Sequence, residues 1–559
     1  MSDYDERPWL KLYDEGVPQT TMDLPYPNCL VMFDARVEAE PDAPCVHYFD
    51  TTLSFGEVDR LSAALAVGFA EECGVVSGDR VAVQLQNVPT FVLSMLAIWR
   101  LGAIMIPINP MYKQELTGLL GDSGAKVLVQ HESLYPTVGK DAAAATDVQH
   151  VVTTSELDFF SGPDQALLAN SSRQRHDSTL DLVELAQAHE GQRPEPIDLK
   201  PDDIAFLVYT SGTTGPPKGA MNTHRNVVYN SEVYRVWVGL SSDDVVLAVA
   251  PLFHVTGLIA HIGVALLVGM PMVLGYRFEP VAMAKLAEQY RATWAMGAIT
   301  AFVSLMNTPE AAKHDLSSIT KVASGGAPIA PTTIEQYEKT FGVYVHNLYG
   351  LTETTSPSHG VPWGQRAPVD KTSGALSVGV PVIGYTVRIA DEDGNDLPAG
   401  EIGELVTEGP GVVSGYWEKP EESAKAIRNG RLHTGDVGFM DSDGWFYIVD
   451  RQKDMIVASG YKVWPREVED VLYQHEAVRE AGVIGVADEY RGETVKAFVS
   501  LKAGATATKD ELIQFCKDRL AAYKYPRQME ILDEIPKTVT GKILRRELRQ
   551  KDPAAPQSS

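Results

Sequence analysis

The sequence predicts an α/β protein built as two domains, and three observations carry that prediction. The chain has 559 residues, more than one hydrophobic core accommodates. From residue 50 onward, apolar blocks alternate with amphipathic ones, the rhythm of strands and helices in largely parallel sheets. A charged run, Asp450-Arg-Gln-Lys-Asp454, then separates an aromatic strand pattern at 445–449 from an apolar one at 455–458. The boundary is expected there, giving a domain of 1–449, a connecting segment of 450–453 and a second domain of 454–551. The tail 552–559 has no apolar face and is expected to be disordered.

In chain order, the spacing predicts a helix over 55–73, a strand at 80–85, a helix over 88–101 and a strand at 103–108. Between 153 and 201 the composition turns polar, which predicts a surface excursion. Ile204-Ala-Phe-Leu-Val-Tyr209 then reads as a buried strand whose end presents the next segment, where α/β proteins place ligands. The longest apolar stretch, 258–274, is interrupted by His261, Gly263, Gly269 and Pro271 and falls short of the roughly 20 residues of a membrane span. It predicts a buried helix followed by a strand.

Composition narrows the function classes. A 44% share of hydrophobic residues supports packed domains, and a formal charge of −26 argues against nonspecific binding to nucleic acid. Cys29, Cys45, Cys73 and Cys516 share no metal-ligand spacing, so reduced thiols, no zinc and a reducing compartment are expected. The acidic start, Met-Ser-Asp-Tyr-Asp-Glu-Arg, lacks the blocks of a signal peptide, and a cytoplasmic location follows as an expectation.

The most informative run is Tyr209-Thr-Ser-Gly-Thr-Thr-Gly-Pro-Pro-Lys218. The hydroxyls of Thr210, Ser211, Thr213 and Thr214 and the bare backbone at Gly212 suit a polyphosphate, and Lys218 adds a positive charge. A P-loop requires Gly immediately before the lysine and Ser or Thr after it, whereas Pro217 and Gly219 stand here. Composition alone equally allows a plain surface loop. Further on, Tyr349, Thr352 and Glu353 combine an aromatic ring, a hydroxyl and a hard carboxylate, although Thr352 would also serve as a helix N-cap. Asp436 and Arg451 suit a sugar diol, or are a turn residue and a surface charge. His254 is either a site residue or a core histidine, Lys453 a hinge or a solvated linker charge, and Lys542 a mobile cation or an ordinary helix start.

Taken together, these segments resemble the AMP-forming adenylating enzymes, the superfamily of acyl-CoA synthetases, peptide-synthetase adenylation domains and beetle luciferases. The resemblance spans roughly residues 30–550, and 450–469 is most similar to bacterial medium- and long-chain fatty acyl-CoA synthetases. It implies a large multi-subdomain N-terminal domain of helix-flanked sheets and a small mobile α+β lid. By the same resemblance, Thr210, Ser211, Gly212, Thr213, Thr214 and Lys218 grip the ATP phosphates; Gly325, Gly326, Ala327 and Tyr349 flank adenine; Thr352 meets the α-phosphate. Glu353 positions Mg²⁺, Asp436 and Arg451 hold ribose, and His254 borders the incoming acid. Lys542 offsets charge built up in the first step, after which rotation about Lys453 brings Gly460 to the pantetheine arm of CoA.

The activity so implied is activation of a medium- or long-chain fatty acid to acyl-adenylate and transfer to CoA. Alternatives are a ligase that loads a carrier protein in trans, a CoA ligase for an aryl or other apolar acid, and a non-catalytic acyl or nucleotide sensor. The partners implied are fatty acid, ATP and CoA; transient contact with a membrane surface and a homodimer are both compatible. Gly257, Ala260 and Gly263 are expected to line a roomy acyl channel, and the absence of charge there disfavours amino-acid substrates.

Overall fold

A computed structural model describes residues 4–161, 167–210, 217–371, 374–451, 454–458, 461–488, 492–538 and 542–552. Two large sheets form the body. In the first, the strand order is Leu180–Asp181, His150–Thr154, Val127–His131, Arg80–Gln84, Ile104–Pro107, Ile204–Thr210, Lys218–Thr223. All neighbours are parallel except the last pair. The second runs from Val380–Pro381 through Ser356–Gly360, Val345–Leu351, Lys321–Gly325 and Trp294–Gly297 to strands at 246–247, 272–274, 44–48 and 51–54, parallel in its centre and antiparallel at both edges. A five-stranded antiparallel sheet follows, ending in Arg431–Met440 and Phe446–Arg451. A smaller sheet of residues 456–531, packed with helices Pro465–Tyr473, Lys509–Lys517 and Arg545–Lys551, forms the C-terminal part.

The predicted elements form for local reasons. Ser54 and Glu57 make a reciprocal capping box that starts the helix Phe55–Glu71. Pro89 opens Pro89–Arg100, whose residues are buried on every side, and buried Arg100 pairs with Asp59 at 2.6 Å. Residues 258–274 are a buried helix and strand as expected, with a π-turn over Leu258–Gly263. Among the described residues no helix is long and apolar enough to cross a membrane.

Two expectations are corrected. The polar stretch 153–201 is more than a surface excursion: Leu180–Asp181 adds an edge strand, and Asp181 caps the helix Leu182–Ala188. That helix sets Leu185 so close to Gly68 that a Cβ there would lie 2.5 Å from it. Leu180, Leu182 and Leu185, apolar positions hidden in a polar average, decide this segment. Asp552, read as tail, is buried and accepts a 2.5 Å bond from Lys496, because a buried ammonium needs a counter-charge; residues 553–559 lie outside the described residues.

All four cysteines are free and buried, and burial pushes each thiol up. Burial likewise lowers His47, His131 and His261 to about 4 and His224 and His359 to about 3. Imidazoles in the unfolded chain bind protons below about 6.5, where the buried ones cannot. Their stabilising effect is therefore complete above that pH and lost as the pH falls through 4 toward 3. Denaturant titrations at pH 7.5 and pH 5 should show a clearly lower unfolding midpoint at pH 5, and equal midpoints would contradict the buried neutral histidines.

Candidate active site

The phosphate-loop residues begin and end on paired strands. Thr210 sits opposite Lys218 in the antiparallel pair, so the two flanking strands are the arms of a hairpin and Lys218 opens a strand, not the helix that a P-loop lysine opens. Ser211, Gly212, Thr213 and Thr214 lie outside the described residues. Lys218 Nζ stands 5.1 Å from the centre of the Tyr416 ring, and among the described residues it has no carboxylate partner.

Glu353 lies in a 3₁₀ turn, Thr352–Thr354, that ends the strand Val345–Leu351 and leads into another strand. No helix follows for Thr352 to cap, and its hydroxyl bonds no described residue. The turn is closed by Thr355 and Ser356 at φ of 52° and 79°, two successive non-glycine residues in the left-handed region, which costs about 1–3 kcal/mol each. Buried side chains hold it there. Asn222 Nδ2 donates to the Thr352 carbonyl at 3.0 Å and to Thr355 Oγ1 at 2.9 Å. Asn230 Nδ2 donates to the Thr354 and Thr355 carbonyls at 2.9 and 2.6 Å, and the Tyr385 hydroxyl reaches the Thr354 carbonyl at 3.1 Å. The strand that carries Lys218 thus also carries Asn222, tying the hairpin to the Glu353 turn. These supports escaped sequence reasoning; the available signal was polar amides at buried positions of Lys218–Thr223 and the following helix.

Tyr349 lies within the strand Val345–Leu351, and its hydroxyl donates to Asp436 Oδ2 at 2.6 Å. Gly325 pairs with Leu348 beside it, and a Cβ at Gly325 would fall 2.5 Å from the Leu348 carbonyl oxygen. Gly326, at φ 80°, has nothing within 4 Å of a would-be Cβ, so an open face next to Ala327 and Tyr349 can accept a flat ring. Asp436, only 4% exposed, is opposite Arg451 in the antiparallel register. The side chain of Arg451, together with Lys453 and Gly460, lies outside the described residues.

His254 caps the short helix Val255–Gly257, accepting from the Thr256 N–H through Nδ1 at 3.3 Å. Burial lowers its pKa to about 4, and the charge of Lys542 pushes the same way. A charge far away in the sequence is thus felt at His254. Lys542 sits at the base of a small hairpin: its N–H donates to Thr538 Oγ1 at 3.1 Å, its carbonyl accepts from the Thr538 N–H at 2.8 Å, and Lys537 pairs with Ile543. Beyond it Arg545 bonds Asp450 at 3.0 Å, Asp454 at 3.2 Å and both oxygens of Glu469 at 2.8 and 2.9 Å.

The expected acyl channel along Gly257 and Gly263 is not what those glycines provide. A Cβ would lie 2.1 Å from the Pro251 carbonyl oxygen at the first and 2.3 Å from Ser231 Oγ at the second, so they serve close packing. The Ala260 carbonyl is taken by Trp294 Nε1 at 2.9 Å.

Among the described residues no group of three or more His, Cys, Asp or Glu gathers to hold a metal. The arrangement does fit magnesium bound with a nucleotide, which needs one or two carboxylates plus phosphates. One Glu353 oxygen is anchored by the Tyr416 hydroxyl at 2.7 Å, and the other bonds no described residue.

The family model described as AMP-binding enzyme matches residues 33–417, and the one described as AMP-binding enzyme C-terminal domain matches 467–542. A long-chain-fatty-acid–CoA ligase of Bacillus subtilis is 37% identical over 564 aligned positions, covering 98% of each chain. A feruloyl-CoA synthase of an Amycolatopsis species is 37% identical over 517, covering 92% of this chain and 97% of that protein. Among solved structures, an anthranilate CoA ligase in complex with anthranoyl-AMP superposes with a TM-score of 0.84 at 27% identity, over 95% of this chain and 98% of the other.

Proposed function

We infer the reaction from the premise that this chain belongs to the AMP-binding enzyme family. It is an ATP-dependent acid–thiol ligase of the long-chain-fatty-acid–CoA type, forming acyl-CoA, AMP and pyrophosphate. In the first step a carboxylate oxygen attacks the α-phosphorus of ATP and the bond to pyrophosphate breaks. In the second, the CoA sulfur, giving up its proton, attacks the acyl carbonyl and AMP leaves. Splitting the reaction this way replaces one difficult displacement by two easier ones.

The bond from Tyr349 to buried Asp436, with Lys218 and Glu353 both held against Tyr416, is the observation that best supports this reading, and the charge of Lys542 is felt at His254. An ammonium beside the acid's entry offsets negative charge on the five-coordinate phosphorus. A neutral His254 can hydrogen-bond the carboxylate without adding a second positive charge. The open face at Gly326 beside Tyr349 suits adenine, Asp436 with Arg451 suits ribose, and the Thr210–Lys218 hairpin suits the β- and γ-phosphates. Magnesium, when bound, is held by Glu353 with the nucleotide phosphates and neutralises their charge. The lid of 454–551 turns about Lys453 between the steps, withdrawing Lys542 and presenting Gly460 to pantetheine. The compartment is the cytoplasm, and a homodimer is compatible with this reading.

Pyrophosphate release and acyl-CoA formation across a panel of acids provide the test. Long-chain fatty acids should give the highest kcat/KM and CoA-dependent turnover. A preference for hydroxycinnamates would move the reading to an aryl-CoA ligase, which the similarity to feruloyl-CoA synthase makes the second choice. Acyl-AMP accumulating despite CoA would point to a carrier-protein acceptor, and no pyrophosphate with any acid would sink the ligase reading.

A further inference from the structure

Tyr416 lies in none of the segments singled out from the sequence, yet it touches both charged residues of the phosphate end of the site. Its hydroxyl donates to Glu353 Oε1 at 2.7 Å, and its ring carries Lys218 Nζ at 5.1 Å. The residue is only 8% exposed.

The backbone around Tyr416 is stitched to both partners. Val413 N–H donates to the Glu353 carbonyl at 2.9 Å. Met221 N–H donates to the Gly415 carbonyl at 3.1 Å and Trp417 N–H to the Gly219 carbonyl at 2.8 Å, so 415–417 extends the edge of the strand that begins at Lys218. Ser423 Oγ accepts the Tyr416 N–H at 2.8 Å and leaves no room for a side chain at 415, where a Cβ would lie 2.7 Å away. One side chain is thereby fixed between a cation and a carboxylate that the sequence separates by 135 positions, from 218 to 353.

We propose that Tyr416 is a positioning residue for the first half-reaction, bridging Lys218 and Glu353 so that ammonium and carboxylate meet the same phosphates in fixed register. The proposal rests on the reading of Lys218 and Glu353 as the phosphate and magnesium residues. Its hydroxyl occupies one carboxylate oxygen and turns the other toward a cation, the part played by hydrogen-bonded neighbours of metal ligands generally. Its ring holds the Lys218 ammonium by cation–π attraction where a carboxylate would have neutralised it.

Tyr416→Phe removes the hydroxyl and keeps the ring. It should raise the magnesium concentration for half-maximal pyrophosphate release by about 10- to 100-fold. Manganese binding to the enzyme–ATP complex, followed by electron paramagnetic resonance, should weaken by the same factor, while the thermal midpoint and conversion of supplied acyl-AMP to acyl-CoA stay as in the parent. Tyr416→Leu should further weaken metal-free ATP binding, through loss of the Lys218 contact. Glu353→Gln is the reference. If it shifts the magnesium titration and Tyr416→Phe shifts neither that titration nor manganese binding, the proposal is wrong and the magnesium reading stands. If Glu353→Gln itself shifts nothing, the magnesium reading falls and takes the proposal with it. Equal loss of both half-reactions in Tyr416→Phe would mark the residue as structural and overturn the proposal.

Discussion

Replacing Lys542 with alanine should leave ATP binding intact and slow acyl-adenylate formation by about 100- to 1000-fold, the cost of removing one preorganised charge from a developing anion. Conversion of supplied acyl-AMP to acyl-CoA should persist near the parent rate. The separation is expected because the Lys542 charge is felt at His254 while its hairpin is braced through the backbone, independently of its ammonium. Lys537 at that hairpin's base pairs with Glu480, and Leu548 is buried beyond it. Pyrophosphate release measures the first half-reaction and thioester formation from acyl-AMP the second. Equal loss of both would show that the lysine acts through the fold or in both steps.

The second large effect is expected at Arg545. Its guanidinium joins Asp450, on the last strand of the N-terminal part, to Asp454 and Glu469 of the C-terminal part. The three carboxylates are 3%, 8% and 5% exposed, and Arg549 adds a bond to Asp454 at 2.7 Å. Burial pushes the Glu469 carboxyl up, against the pull of Arg545, while burial of Arg545 itself is outweighed by the charges of Asp450, Glu469 and Asp454. Arg545→Ala removes the guanidinium these three buried carboxylates share, and losing one partner of a buried ion pair costs about 3–5 kcal/mol. Thermal unfolding and limited proteolysis of the full chain should report an earlier-opening C-terminal part, with Arg545→Lys intermediate. Adenylation should fall as well, since Arg545 follows Lys542 by three residues and opens the helix beyond it. A melting profile like the parent's would mean that the cluster finds other counter-charges.

Much of this was legible because it is written locally. The helix predicted at 55–73 follows from amphipathic spacing, and the central strands from apolar runs, since both depend on neighbours a few residues away. Asp436 and Arg451 were paired on chemical grounds, and the register sets them opposite one another. What stayed hidden depends on distant contacts. The amides of Asn222 and Asn230 do not by themselves reveal that they clamp a strained turn more than a hundred residues downstream, and nothing around Tyr416 points to Lys218. Gly257 and Gly263 were ambiguous in a different way: a missing side chain serves an open channel or a tight approach equally, and only the neighbouring atoms decide. The segment 153–201 misled through averaging, since Leu180, Leu182 and Leu185 need only their own positions to be apolar.

The four buried thiols have a practical meaning for a reaction whose acceptor is itself a thiol. With Cys29, Cys45, Cys73 and Cys516 shielded and held in the protonated form, the sulfur of CoA is the reactive nucleophile in the assay mixture. A chromogenic disulfide can therefore follow CoA consumption directly, with the folded enzyme contributing little colour. Added to enzyme alone, the same dye becomes a clock for unfolding, because each thiol reacts only when the packing around it opens.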